Sequence, residues 1–298
     1  MNTTIFNTLK KNLITTALTV LTLSSTVAFG AEKTYSLTLS DPSMPASLEI
    51  ELYNGTVTVE GYSGKTVEII ADISDAKENE GRDKLGQRIN QRMKQKLTTH
   101  KSKPRSTEGL KVVSKSMLRL EIEEDDNEVE ISSESMNQHV NLVVKVPMTA
   151  SLDIEVYQGG DITINNISGG IEVEAYQGSV TATGISGPIV AETANTDIVV
   201  SFSDFDKTNP SSLTSHAGNV DITLAKSIAA NVNVQTYQGE LYSGLTQEFS
   251  AIDEVKQNSK GGKQKIAIGG ILQAKMNGGG QDLSLISYSG NLYVRDGK

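Results

Sequence analysis

From Leu48 onward, apolar and polar residues alternate in short runs separated by glycine, asparagine and serine. In LDIEVYQGGDITINNISG (152–169), Ile154, Val156, Ile162 and Ile164 fall on one side of the alternation. Asp153, Glu155, Asp161 and Thr163 fall on the other. In IEVEAYQGSVTATGISG (171–187), Ile171, Val173, Val180 and Ala182 alternate with Glu172, Glu174 and Thr181. A period of two over about five residues, bounded by turn residues, marks a half-buried β-strand. Each unit therefore predicts two short strands and two turns.

The units recur. LEIELYNGTVTVEGYSG (48–64) shares the plan, and looser copies occupy 189–202, 213–224, 232–245 and 283–297. Gly159 and Gly178 are 19 residues apart, Gly178 and Thr196 are 18, and Gly218 and Gly239 are 21. A near-constant interval of this size signals stacked units. A two-strand unit has one apolar face and cannot bury it alone. Stacking copies about 4.8 Å apart pairs each strand with its equivalent and joins the inward Ile and Val into one core. The expected fold is all-β, a parallel β-solenoid (β-helix) with coils of roughly 18–22 residues. An antiparallel sandwich of hairpins is the alternative; identical turns at a constant interval favour stacking.

The repeated Tyr-Gln-Gly follows from that geometry. Gly159, Gly178 and Gly239 are expected at corners that need positive φ. Tyr157, Tyr176 and Tyr237 then line one corner, with Gln158, Gln177 and Gln238 beside them. Rings and amides in register stabilise such a fold by contact. The same ladder is also a candidate surface for stacking sugar rings, and the residues leave both readings open.

The rhythm breaks between 76 and 136. KENEGRDKLGQRINQRMKQKL (77–97) places Leu85, Ile89, Met93 and Leu97 four apart, which predicts a short helix with a narrow apolar stripe. With the basic linker that follows, it forms a cationic insertion over 77–105. Arg88, Arg92, Lys94 and Lys96 are its candidate interaction residues, suited to an anionic membrane or polymer. Alternatively the stripe packs within the chain, where nine basic residues in 82–105 meet eight acidic ones in 121–134. Residues 118–132 read as strand, acidic turn, strand, with Leu118, Leu120 and Ile122 on one face, and QHVNLVVKVP (138–147) as a strand running into the unit at Leu152. The organisation expected is a leader at 1–30, a β-rich part with the insertion at 31–147, and a regular array at 148–298.

Composition sharpens this picture. The chain has 26 Gly, six Pro and no Trp, which suits strands joined by tight turns. Lys10 and Lys11, the apolar run Leu13–Val27 and Ala28-Phe29-Gly30 have the make-up of a cleavable signal peptide. No second apolar stretch follows, so no transmembrane segment is expected in the mature chain. With no cysteine, neither a disulfide nor a lipid anchor on an N-terminal Cys is available. A periplasmic or secreted protein is expected. The formal charge of −9 argues against nucleic acid as a partner.

Reactive chemistry is sparse. His100, His139 and His216 are far apart in sequence and have no metal-ligand spacing, and the glycine run 278–280 precedes a strand. No GxSxG occurs. Glu155, Asp161, Glu172 and Glu174 are spread along strands like solubilising positions, and 148–206 contains no Lys or Arg. The expectation is no catalytic residue, no cofactor and no metal. An enzyme acting on polysaccharide from a β-helix scaffold is the alternative.

LDIEVYQGGDITINNISGGIEVEAYQGSVTATGISGPIVAET and NVDITLAKSIAANVNVQTYQGELYSGL resemble the bacterial "putative adhesin" family of exported β-strand-repeat proteins, whose function is largely unknown. The ending GGILQAKMNGGGQDLSLISYSGNLYVRDGK is similar to that family's terminal pattern. The resemblance implies a right-handed solenoid in or outside the cell envelope, with no catalytic signature to transfer; the insertion at 77–97 departs from it. The expected role is a non-enzymatic adhesion or envelope interaction module. Its partner would be an envelope or surface polymer or protein; a structural or sensory envelope protein is a further alternative.

Overall fold

A computed structural model describes residues 33–75, 120–133, 135–136, 138–260 and 263–297, without the side chains of 33, 75, 253–260 and 263–269. The leader at 1–30, the expected helix at 77–97 with Arg88, Arg92, Lys94 and Lys96, and also His100 and Leu118, lie outside the described residues. The described residues form nineteen strands and no helix, joined in one large mixed sheet.

The middle of the sheet is parallel. β7 (Ser151–Asn165) holds both halves of its unit; the first half pairs with β8 (Ile171–Ala175) and the second with β9 (Val180–Ile185). β8 pairs with β10 (Ile189–Thr193) and β9 with β11 (Ile198–Phe202). These pair onward with β12 (Ser211–Ser215) and β13 (Val220–Leu224). Two parallel tracks result, with equivalent residues side by side. Parallel pairing in register, not hairpins, therefore joins the repeats.

Residues 47–62 and the C-terminal strands are each inserted between units that are not their sequence neighbours. β2 (Ser47–Tyr62) pairs with β7 on one side, and on the other with β5 (Glu128–Ser133) and β6 (Gln138–Pro147). β6 runs on in sequence toward β7 but does not pair with it, because β2 lies between them. Likewise β18 (Gln281–Ser287) and β19 (Leu292–Asp296) separate β12 and β13 from β14 (Ala230–Thr236) and β15 (Leu241–Ser243). Alternation fixes which face a strand buries; units with the same alternation are interchangeable as neighbours.

Antiparallel strands cover the flanks of the stack. β3 (Thr66–Asp75) pairs with β6, and β1 (Lys33–Thr38) pairs with β3. β4 (Glu121–Asp125) folds onto β5 through Asp126 and Asn127, at φ 50° and 70°. Two consecutive positive φ values match the hairpin turn whose twist suits the flanking strands. β16 (Ser250–Lys260) and β17 (Lys263–Met276) form a hairpin whose second strand pairs with β14. On β5, β6 and β14 such cover removes an open parallel edge that would template aggregation.

The core is a set of aligned columns. One runs Ile131, Ile50, Ile154, Val173, Ala191, Leu213, Leu285, Val234 across eight strands, and every member is buried. Another changes chemistry midway, from Leu52, Val156 and Ala175 to Thr193, Ser215, Ser287 and Thr236. The Ser215 hydroxyl accepts from the Gly218 amide at 2.8 Å and donates to the Thr196 carbonyl of the adjacent unit at 2.9 Å. Ser287 repeats this with Gly290 and Gly218, and Thr236 with Gly239 and Gly290. Each hydroxyl thus satisfies its own turn and ties it to the neighbour, which makes a buried polar group tolerable.

The glycine expectation holds only in part. Gly159 has φ +111°, whereas Gly178 and Gly239 are not in the left-handed region. A Cβ at Gly178 would collide with the Gly160 carbonyl, and one at Gly239 with the Gly290 carbonyl. Stacking distance, not φ, requires glycine there.

Two stability predictions follow from this arrangement. Ile171→Asp should destabilise by roughly 3 kcal/mol or more in urea unfolding, through an unpaired buried charge, whereas exposed Glu172→Lys should be close to neutral. Removing 281–298 takes out the shared neighbour of the β12–β13 and β14–β15 units, so limited proteolysis should cut the truncated chain within 211–245 and spare the full chain.

Candidate functional site

The residue that follows the last inward position of each first-track strand defines a row on the outer surface. In spatial order the row is Tyr53, Tyr157, Tyr176, Ala194, His216, Tyr288, Tyr237. The backbone keeps step through it. The amides of Tyr176, Ala194, His216, Tyr288 and Tyr237 donate to the carbonyls of Val156, Ala175, Thr193, Ser215 and Ser287 at 3.0–3.3 Å. The rings form two stacks. Tyr53 and Tyr157 are 6.2 Å apart between centroids and Tyr157 and Tyr176 are 5.4 Å apart. His216 and Tyr288 are 4.9 Å apart, and Tyr288 and Tyr237 are 5.0 Å apart and nearly coplanar in tilt, at 2°. Ala194 alone interrupts the row.

Of the residues expected in the ladder, Tyr157 and Tyr176 meet, while Tyr237 stands at the far end of the second stack. Tyr53, His216 and Tyr288 belong to the row but were not singled out from sequence. Their signal was an aromatic residue two positions before a glycine, in LYNG, SHAG and SYSG. The amides do not form the expected ladder at Gln158, whose side chain donates to the Tyr53 hydroxyl at 3.4 Å. Gln177 and Gln238 are solvent-exposed. His139 bonds Asn54 and His216 bonds Glu192, each within a separate part of the sheet.

Beside the aromatic row run two rows of carboxylates. Register aligns Glu130, Glu49, Asp153 and Glu172 in one, and Glu51, Glu155, Glu174 and Glu192 in the other. Parallel pairing places like charges directly opposite one another, an unfavourable arrangement. The electrostatics register it. Partial burial first, then Glu130, Asp153, Glu128 and Glu51, push the Glu49 carboxyl above its ordinary range. Partial burial, then Glu155, Glu192, Glu172 and Asp153, do the same at Glu174. Tyr157 is pushed up to about 12, chiefly because its hydroxyl is hydrogen-bonded to Glu155. Asp161, by contrast, is held below its ordinary range by the Ser179 hydroxyl and amide, which donate to it at 2.7 and 3.0 Å. Among the described residues, no group of three or more His, Asp or Glu side chains is placed to hold a metal ion.

A shorter aromatic pair lies on the second track, with Tyr242 and Tyr293 stacked at 5.1 Å. Arg295 lies 5.5 Å over the Tyr293 ring and forks onto both oxygens of Asp221 at 2.6–3.0 Å.

No family model matches the chain, and no curated protein matches it. A solved structure similar to it is that of a "putative cell adhesion protein" from Clostridium sporogenes ATCC 15579. The TM-score is 0.42 and the identity 10%, over 90% of this chain and 100% of the other. Among the described residues, no helix is long and apolar enough to cross a membrane.

The charge rows give a pH signature. Glu49 and Glu174 have raised carboxyls in the folded chain, so their contribution favours folding at low pH and is lost as pH rises from about 4.5 through the raised values. Asp41, Asp161 and Asp206 are lowered by hydrogen bonds, so their contribution is present above about 3.8 and lost as pH falls below it. The melting temperature should therefore peak in the weakly acidic range and decline toward neutrality. Glu174→Gln should flatten the decline on the neutral side; an unchanged slope would show that the carboxylate rows do not repel.

Proposed function

We propose that the chain is an exported, non-enzymatic right-handed parallel β-solenoid that acts as an adhesin-type interaction module of the cell envelope. The observation that carries this reading is the outer face of the first track. Its aromatic rings and carboxylates repeat at the strand spacing along one open, continuous surface, a format suited to an extended partner. The parallel in-register pairing of near-twenty-residue units supports the solenoid. The resemblance of 152–193 to the adhesin family and the signal-like leader support export, to the periplasm or beyond the cell.

Exposed aromatic side chains act as rigid contacts that lose little conformational freedom on binding. Tyr176, Tyr237 and Tyr288 are 42–61% exposed, more than packing alone requires of large rings. The ladder therefore serves two purposes, register within the chain and contact outside it.

One observation favours a second reading. Glu155, Glu174 and Glu192 lie on consecutive strands, so their carboxyls repeat at about 5 Å, a separation used by retaining glycosidases. Glu174, raised above its ordinary range, would be the acid of such a pair. Against it, Glu174 and Glu192 remain exposed, with 55% of the Glu192 side chain open to solvent, whereas catalytic sites exclude water.

The experiment uses the full chain and a variant with Tyr53, Tyr157, Tyr237 and Tyr288 all changed to Ala, each checked for folding by circular dichroism. Binding to isolated envelopes and to a panel of envelope glycans should fall at least about tenfold in the variant, as expected when aromatic anchors are truncated. Equal binding by both proteins overturns the reading, and new reducing ends in the glycan incubations establish the enzyme instead. Cell fractionation should find the chain outside the cytoplasm with its N-terminus near Ala31.

A further inference from the structure

The aromatic row lacks one ring. Ala194 occupies the position between Tyr176 and His216, and its amide bonds the preceding strand as those of Tyr176, His216, Tyr288 and Tyr237 do. Two strand spacings separate the flanking rings, about 10 Å. Elsewhere in the row that interval holds one further ring, as Tyr288 does between His216 and Tyr237. Here it is a cleft of about 260 Å³, lined by Glu174, Ala175, Tyr176, Glu192, Ala194 and His216.

Each boundary of the cleft has a distinct chemistry. Tyr176 and His216 supply two flat aromatic walls. His216 is held in place by stacking on Tyr288 and by Glu192, 3.2 Å from its Nε2. Glu174 and Glu192 sit two residues before Tyr176 and Ala194, hence on the same face, and stand opposite each other in register. The walls select a planar group, and the carboxylates select a cation with donors along its edge. A guanidinium has both properties, because it stacks on aromatic faces and forks onto carboxylates. An ammonium is also drawn to ring faces, but it is compact and strongly hydrated and neither fills a flat slot nor forks onto carboxylates. A neutral sugar ring matches the walls alone and leaves two facing carboxylates unneutralised. Among the described residues the same pairing occurs where Arg295 lies over Tyr293 and forks onto Asp221.

We propose that the Ala194 cleft binds an arginine side chain of a partner polypeptide, its guanidinium layered between Tyr176 and His216 and bonded to Glu174 and Glu192. This rests on reading the face as an interaction surface, and it assigns that face a partner class, a polypeptide bearing exposed arginine.

The probes are tetra-arginine and tetra-lysine peptides, titrated into the full chain while the Ala194 methyl and His216 ring signals are followed by NMR. Tetra-arginine should shift both signals saturably, and tetra-lysine should bind at least about tenfold more weakly. Ala194→Tyr inserts the absent ring. It should fold, melt a few degrees higher through added stacking, and lose the tetra-arginine response; Ala194→Ser, which leaves the space open, should keep it, the response being followed in both variants at the His216 ring. Equal affinity for the two peptides, or an unchanged response in Ala194→Tyr, overturns the proposal. So does a neutral oligosaccharide that shifts Ala194 and His216 when tetra-arginine does not. The four tyrosines of the envelope test remain in Ala194→Tyr, so the two readings fail separately. Loss of envelope binding in the four-tyrosine variant bears on the face, and loss of the arginine response in Ala194→Tyr bears on the cleft.

Discussion

Backbone hydrogen bonding between parallel, in-register units is the constraint from which the other features of this protein derive. Once equivalent residues must lie side by side, whatever occupies a position is multiplied along the stack. An inward isoleucine becomes a column of apolar side chains from Ile131 to Val234. A tyrosine before a turn becomes a stack of rings. A turn residue becomes a place where the chain meets the carbonyl of the next unit, and only glycine clears it at Gly178 and Gly239.

The same constraint multiplies what is unfavourable. An outward glutamate becomes a row of like charges, which add to partial burial in raising the carboxyls of Glu49 and Glu174. Backbone bonds and core burial hold the strands at a spacing the charges would not choose. The result is a surface with unneutralised acid beside stacked rings, an arrangement that lowers intrinsic stability and favours cationic contacts. In the second half of the stack the corresponding positions become Val190, Ser212, Thr214 and Ile286, so the acidity is confined to one end.

Much of this was legible in the sequence because a period of two reports directly on burial. Ile154, Val156, Ile162, Ile164, Ile171, Val173, Val180 and Ala182 were expected inside, and all are buried. The hairpin at Asp126-Asn127 and the strand after the glycine run were legible for the same local reasons. Thr193, Ser215, Ser287 and Thr236 were not, since a hydroxyl in an inward position looks like a break in the pattern until its turn partner is known. Nor was the role of Gly178 and Gly239, which depends on a carbonyl from a different unit.

By itself the sequence determined the unit: which residues face in, which turn, and that copies stack. Only the tertiary structure decided the order of the copies, with β2 between β6 and β7, and β18 and β19 ahead of β14 and β15. The physical reason is that alternation encodes a face and not a neighbour, so units of the same pattern compete equally for every position until the chain connections and flanking hairpins exclude the rest. That order alone brings His216, Tyr288 and Tyr237 into one stack and leaves Ala194 as the open place between two aromatic walls.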